Sequence, residues 1–301
     1  MMLKQKIKLM TDTCSDIPSD LAQKYDILML CFPVTVDGVS YREVQDFTKE
    51  EFYDMLAKAQ EFPTTAQLTP FELHETYVSL YQQGYTDVIF VTIASGGSAT
   101  YRNAFLAKQQ FEEEDMEADR PMHIHIVDSR NYTATYGYAV VEAAKKLQRG
   151  AGVPELLDYL EDWMASASLY FVPMSLKILK RSGRVSAAAA FAGELLGLRP
   201  LVQMTDCKSY IVEKVRGEQN IVPHLGALAK ERMIPHTPYL VLYGGEREYG
   251  ETLSAYMTKL IGYPPEDMWA IGATISCNAG SHAYGFVIKQ ENRGAMPTEE
   301  Q

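Results

Sequence analysis

The chain has 301 residues, of which 47% are hydrophobic and 22% are charged. This balance excludes a disordered chain, and the length allows two domains of ordinary size. The formal net charge of -11 disfavours nucleic-acid binding, which needs a basic surface, and we predict no nucleic-acid partner.

Several other classes of protein are disfavoured by residue spacing. No apolar run approaches the length of a membrane span, so we predict no transmembrane segment and no secretory signal. The cysteines are scattered, which fits reduced thiols and a cytoplasmic protein better than a disulfide framework or a zinc site. His123 and His125 share one face of a predicted strand, where packing explains them better than metal binding. We predict no metal and no cofactor.

The first half of the chain alternates strands with helices. Short apolar runs predict the strands, and a helical repeat of apolar residues predicts the helices. The run at 26–34 is apolar almost throughout, which is typical of a strand buried on both faces. In chain order, the predicted strands lie at 6–10, 26–34, 86–95 and 123–129, and the predicted helices at 19–25, 48–60, 69–84, 98–114 and 132–150.

Two of these helices carry a clear start signal. Thr48 is followed three residues later by Glu51, and Thr69 by Glu72, which is the spacing of a capping box. Pro70 adds the residue that is preferred at the first helical position. The alternation of strands and helices predicts a mostly parallel sheet with helices on both faces.

The rhythm changes after residue 153, where a second α/β domain is predicted. Its helices are predicted at 154–168, 222–233 and 246–262, and its strands at 169–173, 199–204, 209–215, 239–245, 268–276 and 283–289. The Ala-rich segment 187–198 predicts a helix, which either packs in the core or lines a site for a narrow apolar ligand. The predicted organisation is an N-terminal domain at 1–153, a C-terminal domain at 154–290 and a polar tail at 291–301.

Loops after the predicted strands hold the candidate binding residues, because open parallel sheets bind ligands beyond the carboxyl ends of their strands. The loop at 95–100 offers hydroxyl and backbone donors to an anion at the start of a helix. These donors belong to Ser95, Gly96, Gly97, Ser98 and Thr100. A tight turn with Ser98 as the helix cap is the alternative. The P-loop spacing is absent and no lysine is near, so a carboxylate suits this loop better than a triphosphate.

Other polar residues each allow a functional and a structural interpretation. Thr64 and Thr65 offer hydroxyl groups to a ligand or bond to their own backbone. Asp12 and Asp128 end predicted strands, where a carboxylate does acid–base chemistry or, more often, caps a turn. The basic segment 179–184 is predicted to be a surface loop, either a solvated cluster or a docking point.

Several segments, in this order, resemble motifs of the DegV family of bacterial fatty-acid-binding proteins, the acyl carriers of fatty acid kinase. The resemblance extends over roughly residues 8–289. The similar segments are TDTCSDIP at 11–18, FPTTAQLTP at 62–70, IASGGSATYRNA at 93–104, DSRNYTATYG at 128–137, LKILKRSGRVSAAAA at 176–190, RPLV at 199–202 with VEKVRG at 212–217, and NAGSHAYGF at 278–286.

This resemblance implies a two-domain α/β fold that holds one long-chain fatty acid between the domains. The carboxylate would be held by Thr65, Ser95, the backbone N–H of Gly96, Arg216 and Asn278, with Thr64, Ser98, Thr100, Asp12 and Asp128 behind them. A partner kinase related to dihydroxyacetone kinases would phosphorylate the bound carboxylate to an acyl phosphate. Arg184 would belong to the surface that docks this kinase. The resemblance also allows a transient contact with a membrane surface.

Some positions depart from the family motifs. Asn278 stands where many members have histidine, Ser281 and His282 replace a proline and the glycine after it, and Gly97 replaces a leucine. Ser182 replaces one glycine of the motif that ends at the docking arginine. Asn278 still offers a hydrogen bond but no ionisable group, so we expect lipid binding to survive these changes better than coupling to a kinase.

The main prediction is therefore a non-catalytic acyl carrier. Two other functions stay open at this point. A stand-alone phosphotransferase or hydrolase would use Asp12 or Asp128 at the strand ends. A regulatory or interaction protein would use the basic segment 179–184.

Overall fold

The structure, a computed structural model, describes residues 5–114, 121–186 and 197–291 of the chain. Within these ranges the strands are β1 (Ile7–Asp12), β2 (Leu28–Leu30), β3 (Pro33–Val36), β4 (Val39–Arg42), β5 (Thr64–Thr65), β6 (Asp87–Thr92), β7 (His123–Asp128), β8 (Ala167–Val172), β9 (Leu198–Thr205), β10 (Lys208–Arg216), β11 (Leu240–Tyr243), β12 (Asp267–Ala270) and β13 (Tyr284–Lys289). The helices are α1 (Ser19–Lys24), α2 (Lys49–Lys58), α3 (Pro70–Gln82), α4 (Thr100–Glu113), α5 (Ala134–Gln148), α6 (Val153–Ser166), α7 (Leu176–Ser182), α8 (Ile221–Arg232), α9 (Arg247–Ile261) and α10 (Ala273–Ala279).

The first half of the chain builds a four-stranded parallel sheet in the order β2–β1–β6–β7. Strand β6 is buried along its whole length, and its register with β1 pairs Leu9 with Ile89 and Met10 with Phe90. Such a strand needs cover on both faces, and helices α4 and α5 pack against this sheet. The predicted α/β class and the parallel sheet with flanking helices are confirmed.

The second half builds a six-stranded sheet in the order β10–β9–β8–β13–β11–β12. Its β11–β12 pair is parallel, and the other neighbouring pairs are antiparallel. A core under this sheet includes Tyr170 and Phe286, whose rings stack with centroids 5.2 Å apart. Helices α8 and α9 contribute to the same core, so the second half is also α/β, but with a mixed sheet.

A small antiparallel sheet, in the order β4–β3–β5, supplies one edge of the site described below. The prediction of a single buried strand at 26–34 is wrong. Strand β2 ends at Leu30, and the next strand, β3, belongs to a different sheet. Pro33 has no N–H to donate, so it is unsuited to the middle of a central strand. Strand β3 instead pairs Val34 with Thr65 and so fixes the position of that threonine.

Two further segments are helical against prediction. Residues 179–182 of the basic segment are not a loop but the last turn of α7, and Gly183 caps this helix with a φ of +65°. That left-handed backbone conformation is typical of a glycine helix cap. The strand predicted at 268–276 is a strand only as far as residue 270, and helix α10 replaces its second part. Hydrogen bonds from distant residues hold the start of this helix, as shown below.

Both predicted capping boxes are present. The Thr48 side chain accepts a hydrogen bond from the Glu51 backbone while the Glu51 carboxylate accepts one from the Thr48 backbone, and Thr69 and Glu72 do the same. The Ala-rich helix predicted at 187–198 falls mostly outside the described residues, and so does the polar tail from residue 292. Across the described ranges, no helix combines the length and the apolar character that crossing a bilayer would require.

The two halves share a continuous core. Residues of the parallel sheet, such as Leu9, and of the mixed sheet, such as Leu240, belong to one cluster of buried side chains. Helix α6 packs on α5, where the Trp163 ring lies 4.9 Å from the Tyr138 ring. The Trp163 indole N–H also donates to the carbonyl of Thr135 at 2.8 Å. The domain boundary between 153 and 154 stays a prediction.

Candidate ligand-binding site

A cavity of about 180 Å³ lies where the two halves of the chain meet. Its wall combines residues beyond the ends of β2 and β6 with one face of the mixed sheet and with helix α10. Most of the lining side chains are apolar: Phe32, Ala66, Ile93, Ala99, Leu169, Phe171, Val185, Met204, Leu242, Ile271, Ile275, Ala279 and Ala283. An apolar cavity of about 150 Å³ already takes up benzene, so this cavity suits an apolar ligand group.

A smaller set of polar residues lines the same cavity: Thr65, Gln67, Ser98, Tyr132, Thr133, Arg184, Thr274 and Asn278. Three of them, Thr65, Arg184 and Asn278, also line an outer cleft of about 250 Å³. These three residues therefore stand where the cavity meets the cleft. An apolar interior with a few polar groups at its opening suits a ligand that has one polar end.

Arg184 brings a positive charge to this opening. Its Nη1 donates to the carbonyl of Ser182 at 2.8 Å. Among the described residues no carboxylate forms an ion pair with Arg184, and the residue is exposed, so water solvates its remaining N–H groups. A guanidinium group in this state can take a carboxylate in two parallel hydrogen bonds. Arg184, which the sequence analysis predicts to be a docking residue, therefore also lines the cavity.

Ser95 and Gly96 lie beside the cavity rather than among the residues that line it. The Ser95 N–H donates to Oδ1 of Asp128 at 3.0 Å, and the Ser95 hydroxyl lies 3.9 Å from Sγ of Cys207. Gly96 packs on the same cysteine, because a Cβ at this glycine would lie 2.9 Å from Cβ of Cys207. The loop therefore rests on the β9–β10 turn.

The same loop leaves one backbone donor free. The amides of Gly97 and Ser98 both donate to the carbonyl of Ala94, at 2.9 and 3.2 Å. The Gly96 amide donates to no acceptor in the part of the chain that the structure describes. Gly96 directly precedes Gly97, which does line the cavity. An anion at the edge of the cavity would find this N–H available.

The predicted hydroxyl residues have different surroundings. Thr100 is buried, and its Oγ1 accepts from the Leu68 amide at 3.3 Å and lies 3.0 Å from Oγ of Ser98. Ser98 lines the cavity, and the N-cap of α4 is Ala99, but Oγ of Ser98 accepts from the amide of Thr100, the first residue of the helix, at 3.3 Å. The alternative of a tight turn with a capping Ser98 is therefore supported in part. Thr64 lines the outer cleft.

Asn278 lines the cavity, whereas Arg216 does not. Asn278 lies on α10 in the cavity wall, and its Nδ2 donates to the carbonyl of Thr274 at 2.7 Å, which leaves its second amide hydrogen available. Arg216 is an exposed residue at the end of β10, and neither the cavity nor the outer cleft includes it in its lining. Its carbonyl accepts from Asn220 at 2.8 Å.

Asp12 is fully engaged in holding backbone and side chains together. Its Oδ1 accepts from the Tyr136 hydroxyl at 2.6 Å and from the Cys14 amide at 3.1 Å, and its Oδ2 accepts from the Ile93 amide at 2.8 Å. Burial raises the pKa of Asp12 to about 6, although these hydrogen bonds oppose the rise. Asp12 caps the short turn Thr13–Ser15 and is not part of the cavity wall.

Asp128, at the end of β7, also accepts hydrogen bonds from backbone amides. Its Oδ1 accepts from the amides of Ser95 and Arg130, at 3.0 and 2.9 Å. These two bonds join the loop after β6 to the loop after β7. The geometry supports the turn-pinning interpretation of Asp128, and this residue too is absent from the cavity wall.

Helix α10 is held in place by four side chains from the first half of the chain, which we name the α10 clamp: Asp16, Glu43, Lys49 and Tyr53. Asp16 Oδ1 accepts from the Gly272 amide at 2.7 Å. Glu43 accepts from the amide and the hydroxyl of Thr274, at 3.2 and 2.6 Å. Carboxylates at a helix start satisfy its free amides and its dipole, which explains the helix where a strand was predicted.

The other two clamp residues hold the chain just before and within the helix. Lys49 Nζ donates to the carbonyl of Ala270 at 2.6 Å. The Tyr53 hydroxyl donates to the carbonyl of Ile271 at 2.9 Å and lies 2.8 Å from Oγ of Ser276. Because α10 also supplies cavity residues, the clamp fixes one wall of the cavity from outside.

The clamp buries its carboxylates. Burial raises the pKa of Asp16 to about 7, against the charge of Lys49, and burial also raises the pKa of Glu43. A Cβ on Gly272 would lie 2.4 Å from Oε1 of Glu43 and 2.6 Å from Oδ1 of Asp16, so only glycine fits there. No sequence pattern marked the clamp, because its hydrogen-bond partners are 231 and 256 positions apart in the chain.

The sequence of this chain is similar to a known protein family. The family model described as "Uncharacterised protein, DegV family" matches residues 6–291. A DegV domain-containing protein of Clostridium perfringens is 30% identical over 225 residues, which cover 75% of this chain and 77% of that protein.

Two solved structures are similar over almost the whole chain. A DegV family protein of Thermus thermophilus, described as binding fatty acid, has a TM-score of 0.81 at 26% identity and covers 95% of this chain and 100% of its own. A fatty acid binding DegV family protein of Streptococcus agalactiae has a TM-score of 0.82 at 25% identity and covers 96% of this chain and 100% of its own.

Proposed function

The chain belongs to the DegV family, and on that premise we propose that it binds a long-chain fatty acid and presents the carboxylate to a partner kinase. The similar proteins of T. thermophilus and S. agalactiae are described as fatty-acid-binding. The observation that carries the proposal is the cavity, whose apolar interior opens between Thr65, Arg184 and Asn278.

The acyl chain supplies most of the binding free energy in this proposal. Each methylene group that the cavity takes out of water contributes about 0.8 kcal/mol, before the cost of ordering the ligand. The head group therefore needs only to be oriented. Hydroxyl and amide donors at Thr65, Ser95, Gly96 and Asn278 suffice for that, with Arg184 adding charge.

The carboxylate at the opening would be the group that reacts. In the proposed transfer, a carboxylate oxygen forms a bond to the terminal phosphorus of ATP, the bond from that phosphorus to ADP breaks, and an acyl phosphate results. The chain lacks the P-loop spacing, so the nucleotide would be held by the partner, a kinase related to dihydroxyacetone kinases. Arg184, exposed beside the opening, would contact this partner, and the ATP-dependent step would take place in the cytoplasm.

The alternative of a stand-alone phosphotransferase or hydrolase receives little support. It would use Asp12 or Asp128, but both oxygens of Asp12 and Oδ1 of Asp128 already accept hydrogen bonds within the protein. Neither aspartate contributes to the wall of the cavity. We propose that the protein is a carrier that needs no cofactor of its own.

Native mass spectrometry of the purified protein, followed by solvent extraction and lipid identification, tests the binding. We expect close to one fatty acid per chain. The Thr65→Ala/Ser95→Ala double variant should bind added fatty acid about tenfold or more weakly, because hydrogen bonds to a charged group are lost. Thr252→Ala, on the exposed side of α9, is the control and should bind normally. A purified protein that carries no fatty acid and does not bind added fatty acid would overturn the proposal.

Presentation is tested separately with the loaded protein, ATP and a fatty acid kinase of the dihydroxyacetone kinase type. An acyl phosphate trapped by hydroxylamine as the hydroxamate is the expected product. Arg184→Ala should reduce its formation. If loaded protein yields none, the binding function stands and the presentation to a kinase does not.

A further inference from the structure

Tyr132 is a cavity residue that the proposed carboxylate contacts leave unexplained. It lines the cavity and is only 7% exposed. Its ring lies directly on the backbone of Gly97, where a Cβ would be 2.6 Å from Cε1 and 2.7 Å from the hydroxyl oxygen of the tyrosine. A larger residue at position 97, such as the leucine of the family motif, would occupy the space that this ring fills.

The Tyr132 hydroxyl makes no hydrogen bond to any residue that the structure describes. A tyrosine buried to this degree normally finds a partner for its O–H, since an unmade hydrogen bond in an apolar site destabilises the fold. The side chain borders a cavity, so a ligand in that cavity can supply the acceptor.

The Tyr132 hydroxyl is a donor, and the positive charge among the groups that shift its pKa is that of Arg184. Burial raises the pKa of Tyr132 to about 12, with smaller contributions from Cys207 and Asp128, so the hydroxyl keeps its proton at neutral pH and can donate. The positive charge of Arg184 opposes this rise, and Arg184 and Tyr132 line the same cavity. A carboxylate could accept from both groups at once.

We propose that the Tyr132 hydroxyl donates a hydrogen bond to the carboxylate of the acyl ligand and, together with Arg184, makes the site select an acid over an uncharged acyl compound of equal length. Gly97 is a positioning residue, because its bare backbone admits the ring to the head-group end of the cavity. This inference rests on the proposed binding of a fatty acid. It adds a specificity residue that the family motifs did not indicate.

The test compares the affinities of Tyr132→Phe and the wild type for hexadecanoic acid and for hexadecanol. Loss of one hydrogen bond to a charged group should weaken binding of the acid roughly 10- to 100-fold. Binding of the alcohol should weaken by only about fivefold or less, since a neutral hydrogen bond contributes less net free energy than one to a charged group. The ratio of the two affinities separates a head-group role from a packing role.

Tyr77→Phe is the matched control. Tyr77 is buried in the core beside Phe111 of α4, and its hydroxyl likewise has no partner among the described residues. It does not line the cavity, so its variant should keep the affinities and the acid-to-alcohol ratio of the wild type. A second variant, Gly97→Ala, displaces the Tyr132 ring and should also lower the ratio. In the double variant Gly97→Ala/Tyr132→Phe, the ratio should fall by less than the two single effects combined, because both changes act on the same ring.

Each outcome bears on a different claim. A wild type that binds neither ligand would overturn the proposed function. A wild type that binds the acid, with a Tyr132→Phe variant that binds it equally well, would overturn this inference alone. An equal loss for acid and alcohol would also overturn it, because the tyrosine would then act through packing.

Discussion

Helix α10 meets polar groups on two sides, and the two sets differ in whether the protein satisfies them. On the side of the α10 clamp, buried carboxylates and the amides of the helix start are matched by hydrogen bonds of 2.6 to 3.2 Å. Across the cavity, the Tyr132 hydroxyl, the Gly96 amide and most N–H groups of Arg184 have no acceptor within the described ranges.

The difference separates residues that hold the structure from residues that we propose bind a ligand. A buried network whose donors and acceptors are all matched contributes rigidity, whereas donors left unmatched around an apolar cavity mark a binding surface. By this criterion Asp12 and Asp128 belong with the clamp, although their positions at strand ends made them candidates for chemistry. Thr65 and Asn278 belong with the cavity.

Removing a clamp carboxylate should have the largest effect on stability. Glu43→Ala leaves the Thr13 hydroxyl and both donors of Thr274 without their acceptor, so we expect the free energy of unfolding to fall by about 3 kcal/mol. Urea denaturation measures the change. Glu61→Ala, at an exposed position, is the control and should stay within about 0.5 kcal/mol of the wild type. A Glu43→Ala protein as stable as this control would show that the network does not hold the fold.

A smaller effect is expected from the charge of Asp16. The pKa of this group is about 7 in the folded chain against 3.8 as the ordinary value, so between these pH values the folded protein holds a proton that the unfolded chain has released. Stability should therefore fall as the pH rises through this window. Asp16→Asn removes this contribution, and its stability relative to the wild type should rise by about 1–3 kcal/mol from pH 4 to pH 8.

Denaturant titrations at several pH values measure this slope. Part of it should persist in Asp16→Asn, because burial raises the pKa of Asp12 in the same direction. Asp20→Asn, at an exposed position on α1, is the control and should keep the slope of the wild type. If Asp16→Asn keeps the wild-type slope as well, the buried carboxyl group does not titrate between folded and unfolded states as described.

The smallest effect concerns the turn that delivers Glu43 to the clamp. Val44, the next residue, has a φ of +71° and is 38% exposed. A β-branched side chain is strained in this left-handed conformation, so Val44→Gly should raise the stability by about 1 kcal/mol, seen as a higher Tm. Val39→Gly, at an exposed strand position, should lower it instead. A loss of stability in both variants would show that the turn carries no such strain.

The sequence predicted those features that depend on neighbours in the chain. The two capping boxes formed as predicted, because each links residues three positions apart. Thr65 and Asn278 were placed in the site by family motifs, and both line the cavity. Local preference failed at α10, where Thr274 and Ile275 favour a strand but the carboxylates of the clamp stabilise a helix start.

What the sequence determined by itself is the α/β class, the order of most strands and helices, and the family, since apolar periodicity, caps and motifs all act over a few residues. The tertiary structure decided which polar groups are satisfied and which face the cavity. Asp16 meets Gly272 across 256 positions, and the Tyr132 ring covers Gly97 from another loop. Burial and hydrogen-bond matching depend on such distant contacts, and they distinguish the clamp from the proposed binding surface.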